Sequence, residues 1–192
     1  MKRETADRRI KYTKTMLKNG IIELLEEYPI SKITVKKLCE TADINRSTFY
    51  AHYSDAYDLL QQLEREVLQE LMEHISKHTF TEKTEEIVQV LNVMLEYIGE
   101  NSDLFKVLLS ENGNSSFQKD IMQITQQKSI TDLYNSKNID ARTSEYIQSF
   151  LLSGSISVIK EWLQAGMVET PQELSKLIAK LLYEGLLGVA ET

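Results

Sequence analysis

The chain has 192 residues, 42% of them apolar and 27% charged, with 2 Pro, 7 Gly and a single Cys, a soluble-globular composition that excludes an intramolecular disulfide or a cysteine-rich metal cluster. The net charge of −7 taken alone speaks against a nucleic-acid partner, yet residues 1–53 hold 11 Lys+Arg against 7 Asp+Glu while residues 54–192 hold 11 against 22. A basic head on an acidic body suits a protein that meets phosphate with one end only.

Residues 1–8 are polar and predicted to fray. From Arg9 to Tyr28, Ile10, Met16, Leu17, Ile21, Leu24, Leu25 and Tyr28 recur at helical spacing, and Pro29 closes the helix. Its first turns carry Arg8, Arg9, Lys11 and Lys14, which read either as a solvated end or as an end turned to phosphate.

Ile33 to Tyr53 then read as two short helices about a tight corner. Thr34 has the hydroxyl of an N-cap, and Ile33 and Leu38 stand at the two ends of a hydrophobic staple, which predicts a helix from Val35 to Thr41. The corner Ala42-Asp43-Ile44 needs one left-handed residue, a conformation Asp43 tolerates. Asn45 caps a helix of about two turns. On it Arg46, Ser47, Thr48, Tyr50 and His52 crowd hydrogen-bonding groups together, while Phe49 and Tyr53, four apart, face inward. This is the layout of a helix-turn-helix, whose second helix enters the major groove by its N-terminal residues. Arg46 is the best base-reading candidate because its planar fork matches guanine O6 and N7; the alternative is a phosphate contact from the same position. Cys39, inside the first of the two helices, reads as a small core residue.

The run Ser47 to Tyr53 (Ser-Thr-Phe-Tyr-Ala-His-Tyr), followed by Asp55, Leu59 and Leu60, resembles the TetR (tetracycline-repressor-like) family of transcriptional regulators. Beside Arg46, the resemblance implies DNA contacts at Thr34, Lys36, Ser47, Thr48, Tyr50 and His52, mostly through phosphates. Two positions depart from the family pattern. Asp43 stands where Gly is common in the turn, and Ala56 stands where a phosphate-binding Lys commonly opens the fourth helix, so no contact is assigned to Ala56.

Downstream, Ser54 and Asp55 open a long helix with Leu60, Leu63, Val67, Leu71 and Ile75 on one stripe and Leu59, Leu68 and Met72 beside it. About 20 residues of helix span roughly 30 Å, enough to join a DNA-binding head to a second domain. His74 and His78 are spaced i, i+4 with Glu70 near them, but without a third convergent ligand they read as a solvated face, and no metal is expected. Thr79 to Thr84 reads as a loop. A fifth helix follows from Glu85 to about Glu100, then a short sixth from Ser102, a loop from Glu111 to Ser116, and a weakly apolar seventh from Phe117 to Tyr134.

Between Asp140 and Ala165 apolar residues fall on nearly every side, with Ser153-Gly154-Ser155 at the centre, so the helix needs cover all round. Gly166 is placed as a left-handed C-cap, and Thr170-Pro171-Gln172-Glu173 sets a capping box for a last helix. The surplus of apolar surface predicts a four-helix contact with a second copy, and the resemblance implies the same: a homodimer through the last two helices.

The expected fold is all-α with about nine helices: a helix-turn-helix DNA-binding domain over 1–55, a connecting helix over 56–80, and a ligand-binding and dimerisation domain over 81–192. The resemblance implies a repressor that binds a palindromic double-stranded operator and answers to a small hydrophobic or cationic effector. Met94, Tyr97, Phe105, Met122 and Phe150 are candidate lining but read first as ordinary core, so the ligand residues stay unknown. The alternative is a TetR-fold coactivator or architectural DNA binder controlled by a protein partner. No phosphate loop, nucleophile elbow or convergent His/Cys/carboxylate set points to an enzyme, and no cofactor is expected. With no run approaching about 18 apolar residues and no signal core, no membrane partner is expected and the expected location is the cytoplasm.

Overall fold

The computed structural model describes residues 2–78, 83–113, 117–118, 120–121 and 140–190. Among them the elements are α1 (Lys2–Glu27), a 3-10 turn (Ile30–Lys32), α2 (Val35–Thr41), α3 (Arg46–Tyr50), α4 (Ala56–Ser76), α5 (Lys83–Glu100), α6 (Ser102–Leu108), α7 (Ala141–Gln164) and α8 (Pro171–Ala190). The fold is all-α, as expected, with eight α-helices among the described residues. The helix expected from Phe117 to Tyr134 falls, beyond Ile121, outside them. No described helix is long and apolar enough to cross a membrane.

The chain divides into two compact units, one of Met1–Val67 with Val107–Phe117 and one of Leu68–Lys106 with Gln118–Thr192. Helix α4 begins in the first unit and ends in the second.

In the first unit α1 starts at Lys2 rather than at Arg9, because residues 2–8 contain good helix formers and neither Gly nor Pro. Its buried side carries Thr13, Leu17, Ile21, Leu24 and Leu25, whereas Ile10, read as the start of the apolar stripe, is exposed. Gly20 lies on the buried side where α2 crosses, and a Cβ there would stand 3.1 Å from the Cβ of Ala42. The stretch after α6, expected to be a plain loop, packs into this unit. The Asn112 carbonyl accepts from the Ile30 N–H at 3.1 Å, and its side-chain amide donates to the Leu25 carbonyl at 3.0 Å. One residue therefore satisfies a carbonyl in the last turn of α1, where helix carbonyls lack partners, and the N–H that opens the 3-10 turn. Gly113 permits the approach, since a Cβ there would lie 2.9 Å from the Leu108 carbonyl oxygen.

In the second unit α8 packs chiefly on α5 and also on α7. The Trp162 indole N–H donates to the Glu169 carbonyl at 2.8 Å, and its ring approaches within 3.4 Å of where a Cβ on Gly99 would be. Gly166 at φ 83 stops α7 as a left-handed cap. The capping box that opens α8 is present: the Thr170 N–H donates to Glu173 Oε2 at 2.9 Å, and the Glu173 N–H donates to Thr170 Oγ1 at 3.2 Å. The Thr170 N–H and the Thr170 hydroxyl, which donates to the same Oε2 at 2.8 Å, hold the Glu173 carboxyl below the usual carboxylate range.

Helix α7 buries Leu151, Ile156, Ile159, Trp162 and Leu163 but leaves Tyr146 and Phe150 exposed. Phe150, read as core, is 75% exposed, a correction that periodicity could not supply because both faces of the helix are apolar. Among the described residues, nothing beyond the backbone of its own helix comes within 4 Å of a Cβ placed on Gly154.

Candidate nucleic-acid interface

The corner between α2 and α3 is built by three local devices. Thr34 caps α2, its Oγ1 accepting from the Lys37 N–H at 3.2 Å, and Ile33 and Leu38 are both buried, as a staple requires. Asp43 takes φ 52, the left-handed backbone the corner needs. Asn45 caps α3, its Oδ1 accepting from the Ser47 N–H at 3.0 Å and from the Ser47 hydroxyl at 3.1 Å.

Helix α3 has only five residues, so packing must hold it. Phe49 and Tyr53 are its anchors: Phe49 is fully buried and Tyr53 nearly so, with ring centroids 5.7 Å apart. Burial pushes the Tyr53 hydroxyl up to about 12, with the Glu66 and Asp58 charges adding to the shift. With that side inward, the opposite side of α3 is turned to solvent. Arg46, Ser47 and Tyr50 are exposed, and Thr48 and His52 are half-buried. Tyr50 meets Phe49 edge-on at 5.5 Å without being covered.

Arg46 forms no ion pair among the described residues. It stands beside buried Cys39, whose thiol burial pushes up while the Arg46 charge pulls it down. Thr34, the N-cap of α2, and Lys36 within it are also exposed. Lys36 reaches Glu40 only at 4.0 Å, an exposed i,i+4 pair of little strength that leaves the ammonium free to meet phosphate. Lys37 is different: its Nζ lies 3.1 Å from the centroid of the Tyr28 ring, a cation–π contact that turns it away from α3. All seven candidates thus have solvent access around the α2–α3 corner.

The start of α4 is shaped by carboxylates. Asp55 accepts from the Asp58 N–H at 2.8 Å, and Asp58 accepts from the Ser54 N–H at 2.9 Å, which holds the Asp58 carboxyl below its usual range. Ala56 is buried, so the position where the family pattern has Lys packs into the core.

Residues 85–184 match the TetR-type family model described as "Transcriptional regulator C-terminal region". The chain belongs to the TetR family of transcriptional regulators. This TetR-family chain is 20% identical, over 175 residues, to the uncharacterized HTH-type transcriptional regulator YxbF of Bacillus subtilis (strain 168). The match takes in 88% of the chain and 44% of YxbF, so the chain spans less than half the length of that relative. Among solved structures it is similar to a TetR transcriptional regulator from Streptococcus agalactiae 2603V, with 27% identity, a TM-score of 0.66, and coverage of 93% of this chain and 98% of that one. The fold is also that of FadR from Bacillus subtilis in complex with stearoyl-CoA, at 16% identity and a TM-score of 0.61, covering 88% of this chain and 96% of that one.

In the second unit of this TetR-family chain, His74 and His78 have ring centroids 5.5 Å apart, and His74 lies 5.6 Å from the ring of Tyr97, whose hydroxyl donates to Glu70 at 3.0 Å. Among the described residues no cluster of three or more His, Cys, Asp or Glu is placed to hold a metal ion. The residues that sequence reading missed are Asn45, quoted only as a cap, and Tyr28, taken as the end of an apolar stripe. An aromatic residue just before Pro29 and a Lys in the next helix are the signal that could have paired Tyr28 with Lys37.

Proposed function

We propose that the protein is a DNA-binding regulator which grips a near-palindromic operator as a homodimer and releases it when a small effector binds the second unit. The observation that carries this reading is the split of α3 into a buried face, Phe49 with Tyr53 beyond it, and a solvent face of Arg46, Ser47 and Tyr50. A five-residue helix held that rigidly and left uncovered on its polar side is fitted to present side chains to a groove. Arg46 reads a guanine; Thr34, Lys36, Ser47, Thr48, Tyr50 and His52 set register on the backbone and neighbouring edges.

Pairing is supported by the exposed apolar side chains of the last two helices, Tyr146 and Phe150 on α7 and Leu177 and Leu181 on α8, with the open side of Gly154 among them. Monomers rarely leave such a set uncovered. An effector is supported by the FadR complex, in which this fold holds stearoyl-CoA. Helix α4, shared between the two units, is the element through which a ligand would bias the head, provided it binds the two dimer conformations with different affinity.

Gel-shift titration of wild type and Arg46→Ala tests the reading. The variant is expected to lose about 1–3 kcal/mol of specific binding and to relax one position of each half-site. Equal affinity and equal sequence preference would discard the role of Arg46. Thermal shift against long-chain acyl and cationic compounds tests the effector.

A further inference from the structure

We infer that Ser47 reads a base by accepting a hydrogen bond from the exocyclic amino group of an adenine or a cytosine, and that Asn45 is the positioning residue that imposes this polarity. The inference deepens the DNA-binding reading above and rests on it.

The Ser47 backbone N–H meets the end of the Asn45 side chain at 3.0 Å. A backbone N–H can only donate, so the atom it meets is the amide oxygen and not the amide nitrogen. The orientation of Asn45 is therefore settled by chemistry and not by choice. That oxygen can only accept. Ser47 Oγ lies 3.1 Å from the same oxygen, so the hydroxyl must be the donor in that contact.

A hydroxyl has one proton and two lone pairs, and here the proton is committed to Asn45. Ser47 is exposed, so what it offers outward is acceptor capacity alone. Phosphate oxygens are acceptors and can pair with it only at the expense of the bond to Asn45. Guanine O6 and N7, thymine O4 and adenine N7 are acceptors too. The major-groove donors that remain are the N6 amino group of adenine and the N4 amino group of cytosine.

Thr34 provides the contrast. Its Oγ1 accepts from the Lys37 N–H at 3.2 Å, so its own proton stays free. The two exposed hydroxyls of the motif thus have opposite polarity: Thr34 is suited to donate to phosphate and Ser47 to receive from a base. The family pattern, which assigns both mainly to phosphate, does not separate them; the hydrogen-bond directions do.

The test uses the full chain and the duplex it selects from random DNA. Each adenine is replaced in turn by purine, which lacks N6, and each cytosine by 5-methyl-2-pyrimidinone, which lacks N4. One deletion per half-site is expected to weaken wild type about tenfold and to leave Ser47→Ala unchanged, and the base at which this occurs decides between adenine and cytosine. Ser47→Ala should lose about tenfold on the selected duplex and clearly less than that on random duplex. Asn45→Gly, a tolerated cap, should keep its melting temperature within a few degrees yet lose discrimination at that same base. Uniform weakening by Ser47→Ala across all duplexes, or no amino deletion coupled to it, overturns the inference. Retained discrimination in Asn45→Gly overturns the role of Asn45. If wild type selects no motif, the DNA-binding reading itself fails, a result distinct from a motif that ignores Ser47.

Discussion

Gly20 of α1 and Ala42, the C-cap of α2, approach so closely that a Cβ added to Gly20 would lie 3.1 Å from the Ala42 Cβ. The crossing sets where α2, and through the Asp43 corner α3, sits on α1. A branched side chain has to push α2 outward. Gly20→Val is expected to destabilise the first unit by about 1–3 kcal/mol, read as a lower urea midpoint at unchanged slope. An unaltered midpoint would show that the crossing is looser than the geometry indicates.

Asn112 is a second control point for the same unit. Removing its amide leaves the Leu25 carbonyl near the end of α1 without its side-chain donor, while the Asn112 backbone can still accept from Ile30. Asn112→Ala should cost about 1 kcal/mol, with faster amide exchange in the last turn of α1 as the local signature.

Tyr53 points the other way. Its hydroxyl is buried and has no hydrogen-bonding partner among the described residues, while its ring packs on Phe49. Tyr53→Phe keeps the ring and removes an unsatisfied polar atom, so stability should rise by about 1 kcal/mol, checked by thermal or urea unfolding. A loss of similar size would mean that the hydroxyl has a partner.

These positions mark how far the sequence could be read. The Thr34 and Asn45 caps, the left-handed Asp43 and the Thr170–Glu173 box were legible because each depends on residues within four positions of one another. The same holds for the polar and apolar sides of α3. Asn112 was not legible, since its partner lies 87 residues away, and neither was Gly20, whose role is a close crossing that no propensity records. Periodicity failed at Phe150 for another reason: α7 is apolar on several sides, and only packing tells which of them its own chain covers.

Phe150 carries the prediction for pairing. Phe150→Glu puts a charge in place of one of the exposed apolar side chains of the last two helices, which include Phe150, Leu177 and Leu181. If those residues meet a second copy, the variant should stay folded by circular dichroism, sediment as a monomer, and lose most specific DNA affinity. A variant that still sediments as a dimer would place the contact elsewhere.

The most direct measurement is selection of bound sites from random duplex DNA by the purified chain at low salt. Two copies presenting Arg46 and its neighbours to successive grooves should recover an inverted repeat whose half-site centres lie about 34–36 Å apart, one helical turn. Recovery of no motif, or of a single half-site bound by one chain, would contradict the account.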